Sequence, residues 1–256
     1  MNEADVLGEL LAAAGQGGTV VFTGAGVSTE SGIPDFRGPS GLWTQNAPIG
    51  FRDYLRDPAM RREAWRRGLN TYASIVAAEP NAAHAAIAEW WHAGLVTAVV
   101  TQNIDGLHQR AGLPDSAVIE LHGNAHWVAC LSCHARFDRP SIHQRIGAGE
   151  LEPACSRCGG MLKSTTISFG QPLPTEAIRR AQQVHRAARL CLVVGSSLVV
   201  TPAASLPGET LAGGGQVAIV NHTPTHLDDE AVFVSRTSAA VLLGAVREVL
   251  TRAPRR

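Results

Sequence analysis

Two spacings of apolar residues divide this chain. Val6, Leu7, Leu10 and Leu11 recur at helical intervals within residues 4–14, and Gly15 to Gly18 end that segment. The run Val20-Val21-Phe22 is apolar without alternation, as a strand covered on both faces should be. Helical patterning returns at 58–78 and at 80–92, the latter opening near Pro80-Asn81. A second buried strand is expected at Val96 to Thr101, a helix at 175–188, strands at Leu190 to Val194 and Gln216 to Val220, a short one at Ala231 to Val234, and a closing helix at 239–251. Strands that alternate with helices predict an α/β fold, a Rossmann-like parallel sheet with helices on both faces. Residues 127–163 break the rhythm with short polar stretches and paired cysteines, and predict a small inserted module. The expected organisation is a discontinuous dinucleotide-binding unit, 1–126 and 164–256, around a metal module at 127–163, with 40–80 as a helical part of the smaller unit.

Four of the expected strands end in polar or glycine-rich turns: Gly24-Ala25-Gly26, Thr101-Gln102-Asn103, Gly195-Ser196-Ser197 and Asn221. Ligands of open parallel sheets bind beyond the carboxyl ends of the strands, so these four ends predict one crevice. A strand opening into Gly-x-Gly is half of a dinucleotide fingerprint. An ordinary tight turn reads the same way, and the third glycine position holds Thr29. The polar stretch that follows, broken by Gly32 and Pro34, predicts a lid loop with at most a short helix.

Composition narrows the classes. The 256 residues are 45% hydrophobic and 17% charged, with 22 basic residues balancing 22 acidic ones. A folded chain is expected, with neither the excess positive charge of a nucleic-acid groove nor that of a membrane patch. The acidic, amphipathic start is unlike a secretory leader, and no apolar run reaches the roughly 18 residues of a spanning helix. A cytoplasmic monomer is expected. Cys130-x2-Cys133 and Cys155-x2-Cys158 form two knuckles that can converge on Zn2+, with two disulfides or a redox pair as alternatives. Four thiolates leave no open position, so the zinc would be structural. Cys191 reads as a buried small hydrophobe. Of ten histidines, His84, His92, His143 and His185 read as solvated, and His108 as structural. His122 differs, lying between Val118-Ile119 and Gly123 at the edge of the core.

Several segments in order resemble the sirtuin family: GAGVSTESGIPDFRG at 24–38, TQNIDGLH at 101–108, LHG at 121–123, GSSLVVTPAA at 195–204 and IVN at 219–221. The resemblance runs from about residue 19 to 251. It implies an NAD-dependent protein-lysine deacylase that consumes NAD and moves the acyl group of an acylated lysine onto ADP-ribose. His122 would be the general base, an imidazole being able to take a ribose proton near neutral pH. Asn103 would hold the nicotinamide ribose, and Asp105, as an acceptor, the carboxamide NH2. Phe36 would cover the site after nicotinamide leaves and Arg37 would pair with phosphate or fix the lid. The implied NAD contacts are completed by Gly24, Ala25, Gly26, Ser28, Glu30, Asp35, Trp43, Gln102, Ile104, Gly195, Ser196, Ser197, Asn221, His222, Thr223 and Ala239. Ile167, Phe169, Gly170, Gln171, Leu198 and Val199 would flank the substrate peptide as an added strand.

Two departures bear on substrate. Gln171 stands where the family commonly has Glu after Phe-Gly. Relatives that remove acidic acyl groups carry Tyr-x-x-Arg on the helix after the lid. Here Trp65 and Gly68 fall at those positions, with Arg66 and Arg67 between them, so small neutral acyl groups are expected. Competing readings are a protein mono-ADP-ribosyltransferase, a non-catalytic NAD-sensing module and, with least support, a dehydrogenase.

Overall fold

The computed structural model describes residues 2–35 and 47–252. Helix α1 (Glu3–Ala14) is capped by Asn2 in a reciprocal box with Asp5, and Gly15 ends it at φ 68°. Strand β1 (Thr19–Thr23) is buried along its whole length. Helices α2 (Phe51–Arg56), α3 (Pro58–Ala77) and α4 (Ala82–His92) follow, Asp57 and Asn81 capping the last two. Then come β2 (Val96–Thr101), the single turn α5 (Leu107–Arg110) and β3 (Val118–Glu120). Residues 127–164 fold as β4 (Trp127–Cys130), β5 (Arg136–Asp138), α6 (Arg139–Gly147) and β6 (Leu162–Ser164). The chain closes with α7 (Thr175–Ala187), β7 (Leu190–Val194), α8 (Leu206–Ala212), β8 (Gln216–Val220), β9 (Phe233–Ser235) and α9 (Ala239–Arg252).

The main sheet has the order β3-β2-β1-β7-β8-β9, with every pair parallel. Alternate residues of each strand point to opposite layers. Val21, Val99 and Leu192 pack with Leu7 and Leu11 of α1, Ile87 and Trp90 of α4, and Leu243 and Val246 of α9. Val20, Phe22, Val100 and Val193 pack with Ala181 of α7 and Leu206 of α8. The direction of chain growth reverses at β1, between β2 and β7. There the register is level: Thr23 pairs with both Thr101 and Val194, Thr101 with Glu120, Val194 with Val220, and Val220 with Ser235. All six strands stop on one row, and the residues immediately after them share one rim.

The second sheet, β5-β4-β6, is antiparallel. Its core joins Val128, Ile142, Ile146 and Leu162 to Trp65 of α3, with Leu69 packed against it. Two histidines expected in solvent are core residues instead. His84 and His185 are fully buried, and burial holds both rings down at about 4, hence neutral. His185 Nδ1 meets Thr210 Oγ1 at 3.1 Å. His108, also buried, meets Thr23 Oγ1 at 3.0 Å through Nε2.

Candidate active site

Beyond β1 the chain makes two turns of 3-10 helix, Ala25–Val27 and Thr29–Ser31, with no regular helix. The glycines on either side of the sheet's reversal point lock into one another. A Cβ on Gly24 would lie 2.7 Å from Gly195 O, and one on Gly26 would lie 2.8 Å from Gly195 Cα. Gly195 sits at φ 62°, and a side chain there would overlap Val27 N. The Gly-x-Gly of β1 and the glycine after β7 are therefore required by each other's backbone. The amide of Gly26 seals the contact by donating to Gly195 O at 2.9 Å.

A cleft of about 670 Å³ opens on this rim. Its walls include Gly24, Ala25, Gly26 and Asp35 from β1 onward, Gln102, Asn103 and Ile104 after β2, and His122 after β3. Gly195, Ser196 and Ser197 follow β7, and Asn221, His222 and Thr223 follow β8. Gln102 ties two strand ends together, its Nε2 donating to Ser196 Oγ at 2.8 Å. On the opposite side run Ile167, Phe169, Gly170 and Gln171. These residues follow β6 as irregular chain, with Gly170 at φ 76° and Gln171 N donating to Ser168 O at 2.9 Å. Gln171 also accepts from Ser168 N at 3.2 Å through Oε1. An amide oxygen serves this turn as well as a carboxylate would, so the turn survives the loss of the acid.

Under the floor lies a buried polar cluster. Ser28 Oγ donates to Asp105 Oδ2 at 2.8 Å and accepts from Asn103 Nδ2 at 3.1 Å. Asp105 Oδ1 accepts from Leu107 N at 2.9 Å, which fixes the loop after β2. Asn103 is thus held by Ser28 at one edge while it lines the cleft. His122 is set by its other neighbours. Its Nδ1 lies 3.0 Å from Gln102 O, and a carbonyl only accepts, so the proton belongs on Nδ1 and Nε2 keeps its lone pair. Burial lowers the ring's pKa, with the Gln102 bond opposing, so the neutral form prevails at pH 7. Gly123, at φ 73°, brings the chain against Thr165 O, where a Cβ would overlap.

The sulfurs of Cys130, Cys133, Cys155 and Cys158 all lie within 4.8 Å of one another. Cys130 Sγ is 3.6 Å from Cys158 Sγ, and Cys133 Sγ is 3.8 Å from Cys155 Sγ. A disulfide needs about 2.05 Å, whereas four sulfurs about 2.3 Å from a tetrahedral zinc stand roughly 3.8 Å apart. Ser132 N and Cys133 N each donate to Cys130 Sγ at 3.4 Å, as suits a thiolate ligand. The donor set fits a closed structural zinc.

The Sir2 family model matches residues 24–202. The chain belongs to the Sir2 family. An NAD-dependent protein deacetylase 1 from Bradyrhizobium diazoefficiens is 42% identical over 238 residues, 93% of this chain and 92% of the relative. An NAD-dependent protein deacetylase 2 from Streptomyces coelicolor is 40% identical over 88% of this chain and 95% of its own. Among solved structures, a Sir2 with p53 peptide and NAD+ has a TM-score of 0.88 at 36% identity, covering 99% of this chain and 100% of the other.

Not every residue expected at the site reaches the cleft of this Sir2 chain. Phe36, Arg37 and Trp43 lie outside the described residues. Ser28 and Asp105 sit beneath the floor. Glu30 bonds Ser238, just ahead of α9, and Ala239 begins that helix largely buried. Leu198 is a core residue at φ 51°, and Val199 is exposed away from the cleft; Val200, Thr201 and Pro202 line it in their place. Thr29, Pro48, Ile49, Thr166, Ser168, Pro172 and Leu173 also line it. The last four belong to the segment 164–174, whose departure from the family pattern was their only signal; Pro48 and Ile49 had none.

Proposed function

We propose that this Sir2 chain is an NAD-dependent protein-lysine deacylase. The observation that carries the reading is His122. Its Nδ1 proton is committed to Gln102 O while its ring lines the same cleft as four strand-end turns. Relatives named as NAD-dependent protein deacetylases support it. In this reading Gly24 to Gly26 and Gly195 to Ser197 lie along the dinucleotide, and Asn103 orients the nicotinamide ribose. Asp105 presents its carboxylate from below to the departing carboxamide. The glycosidic C–N bond breaks, the acyl oxygen takes its place on the ribose, and His122 Nε2 accepts a proton from a ribose hydroxyl. Acyl-lysine, NAD and water become lysine, nicotinamide and O-acyl-ADP-ribose. The four cysteines hold zinc as a brace, outside the chemistry.

The substrate is an acylated lysine in a protein, seated as extended chain beside Ile167–Gln171. We place the reaction in the cytoplasm, by a monomer without nucleic-acid or membrane partners. No described helix is long and apolar enough to cross a membrane. Incubation with NAD and an acetyl-lysine peptide, followed by mass spectrometry, tests the reading. O-acetyl-ADP-ribose is the expected product; ADP-ribose attached to the protein would replace deacylation by ADP-ribosyl transfer.

A further inference from the structure

A second cavity, of about 460 Å³, continues from the cleft beneath α3. The two share Pro48, Ile49, Ile104, Thr166 and Ser168, so Ile104 stands at their junction. The remaining walls of the second cavity include the apolar Trp65 and Ile75, but also Arg139 and Lys163, each only 4% exposed. Arg139 begins α6, and its guanidinium carbon lies 5.1 Å from the Trp65 ring centre and 5.7 Å from that of Tyr72. Its Nε donates to His143 Nε2 at 2.6 Å, the one hydrogen bond its guanidinium makes among the described residues. Among the described residues Lys163 Nζ donates only to carbonyls, of Thr166 at 2.5 Å and Ser164 at 3.3 Å.

Neither cation has a carboxylate partner among the described residues. The acids nearby are spent elsewhere: Glu63 pairs with Arg66 and Arg67, and Glu152 with Arg61 and Arg62. Burial lowers Lys163 to about 8 and Arg139 to about 10, so both remain charged at neutral pH. Two desolvated cations facing one cavity without a counter-ion are costly in the empty protein and favour an anionic occupant. Gly68 leaves the guanidinium room against α3, since a Cβ there would press on Arg139 Nη2, the mobile end of that side chain. The place on α3 where relatives that remove acidic acyl groups carry an arginine, and where Gly68 led to the expectation of neutral acyl groups, is thus filled by an arginine from α6.

We propose that this cavity receives the distal carboxylate of a dicarboxylic acyl chain on the substrate lysine, with Arg139 and Lys163 as its counter-ions. The inference rests on the deacylase reading and names its acyl class. The free amino groups of Arg139 offer the paired donors a carboxylate accepts, and Ile104 forms the neck through which the acyl chain passes. Acyl transfer at His122 is unchanged by it.

The test compares near-isosteric acyl groups on one peptide: butyryl with succinyl, and pentanoyl with glutaryl. The expected result is a kcat/KM at least tenfold higher for the acidic member of one pair, a ratio that Arg139→Gln and Lys163→Gln each lower tenfold or more. A ratio is insensitive to the fraction of enzyme that folds. Neutral chains processed as fast as acidic ones by the unaltered protein would overturn the proposal, as would a ratio unmoved in both variants. If acetyl-lysine is turned over and the acidic groups are not, the cavity inference falls and the deacylase reading stands. If no peptide is turned over, the deacylase reading falls. Calorimetry with the succinyl and butyryl peptides then still decides the cavity, equal affinity refuting it.

Discussion

His122 Nδ1 lies 3.0 Å from the carbonyl oxygen of Gln102, two positions beyond the end of one strand and one beyond the end of its neighbour. The level register of β2 and β3 sets this distance, and with it the tautomer of the base. Removing the imidazole by His122→Ala should lower kcat by about 10²–10⁴, the usual worth of a positioned acid–base group. NAD affinity should change little, because the cleft's other walls are intact. Single-turnover kinetics and NAD titration separate the two effects; undiminished turnover would remove His122 from the chemistry.

The same environment sets the pH response. A ring held below 6.5 by burial is a competent base at pH 7 and loses that competence only as pH falls through its lowered value. The acidic limb of the kcat/KM profile should therefore lie below 6.5. A limb at 7 or above would mean that a different group titrates.

His84 and His185 give stability a pH dependence of their own. Both are held at about 4 in the fold, mainly by burial, against 6.5 for a free imidazole. Their contribution is complete above 6.5 and is lost as pH falls from 6.5 towards 4, because the unfolded chain binds the extra protons. Each should cost about 1.4 kcal/mol per pH unit across that window. Urea unfolding at pH 7 and pH 5 should show the loss, and His185→Gln should remove one ring's share of it, since His108, His122 and His143 are lowered as well; a flat response would mean that these rings take up protons in the fold as readily as in the unfolded chain.

Zinc should be present at one ion per chain. Chelation, or Cys155→Ser, should melt β4–β6 and the core they share with Trp65, since metal binding supplies folding energy to such modules. Fully active protein without zinc by metal analysis would exclude the site.

Gly195→Ala should destabilise the fold by roughly 2–4 kcal/mol, combining a left-handed backbone with overlap at Val27 N. NAD affinity should fall with it, because the overlap splays the two glycine turns apart. A thermal melt and an NAD titration on the same variant report both.

Much of this was readable in the residues, for definite physical reasons. β1, β2, β7 and β8 lie in the middle of a sheet covered on both faces, so each is a continuous apolar run. Their polar exits are what the cleft is made from. β3 is only three residues long, and β4 to β6 are short and flanked by polar chain, so neither spacing could emerge. His84 and His185 misled because a lone histidine in a helix looks solvated; their burial depends on Ser28 and Thr210, which lie far away in the chain. Arg139 gave no signal at all, since its meaning comes from Gly68 and from the acids that do not face it.

The place of β1 in the sheet bears finally on biosynthesis. The strand ends at residue 23, yet its neighbour β7 ends only at residue 194. At roughly 5–20 residues per second, one edge of Thr19–Thr23 waits on the order of 10–30 s on the ribosome with its amides unpaired. A short, uncharged run of β-branched and aromatic residues is prone to pair with other chains during such a wait. Yield of soluble protein should therefore depend on translation speed and chaperone supply more than the stability of the finished fold would suggest.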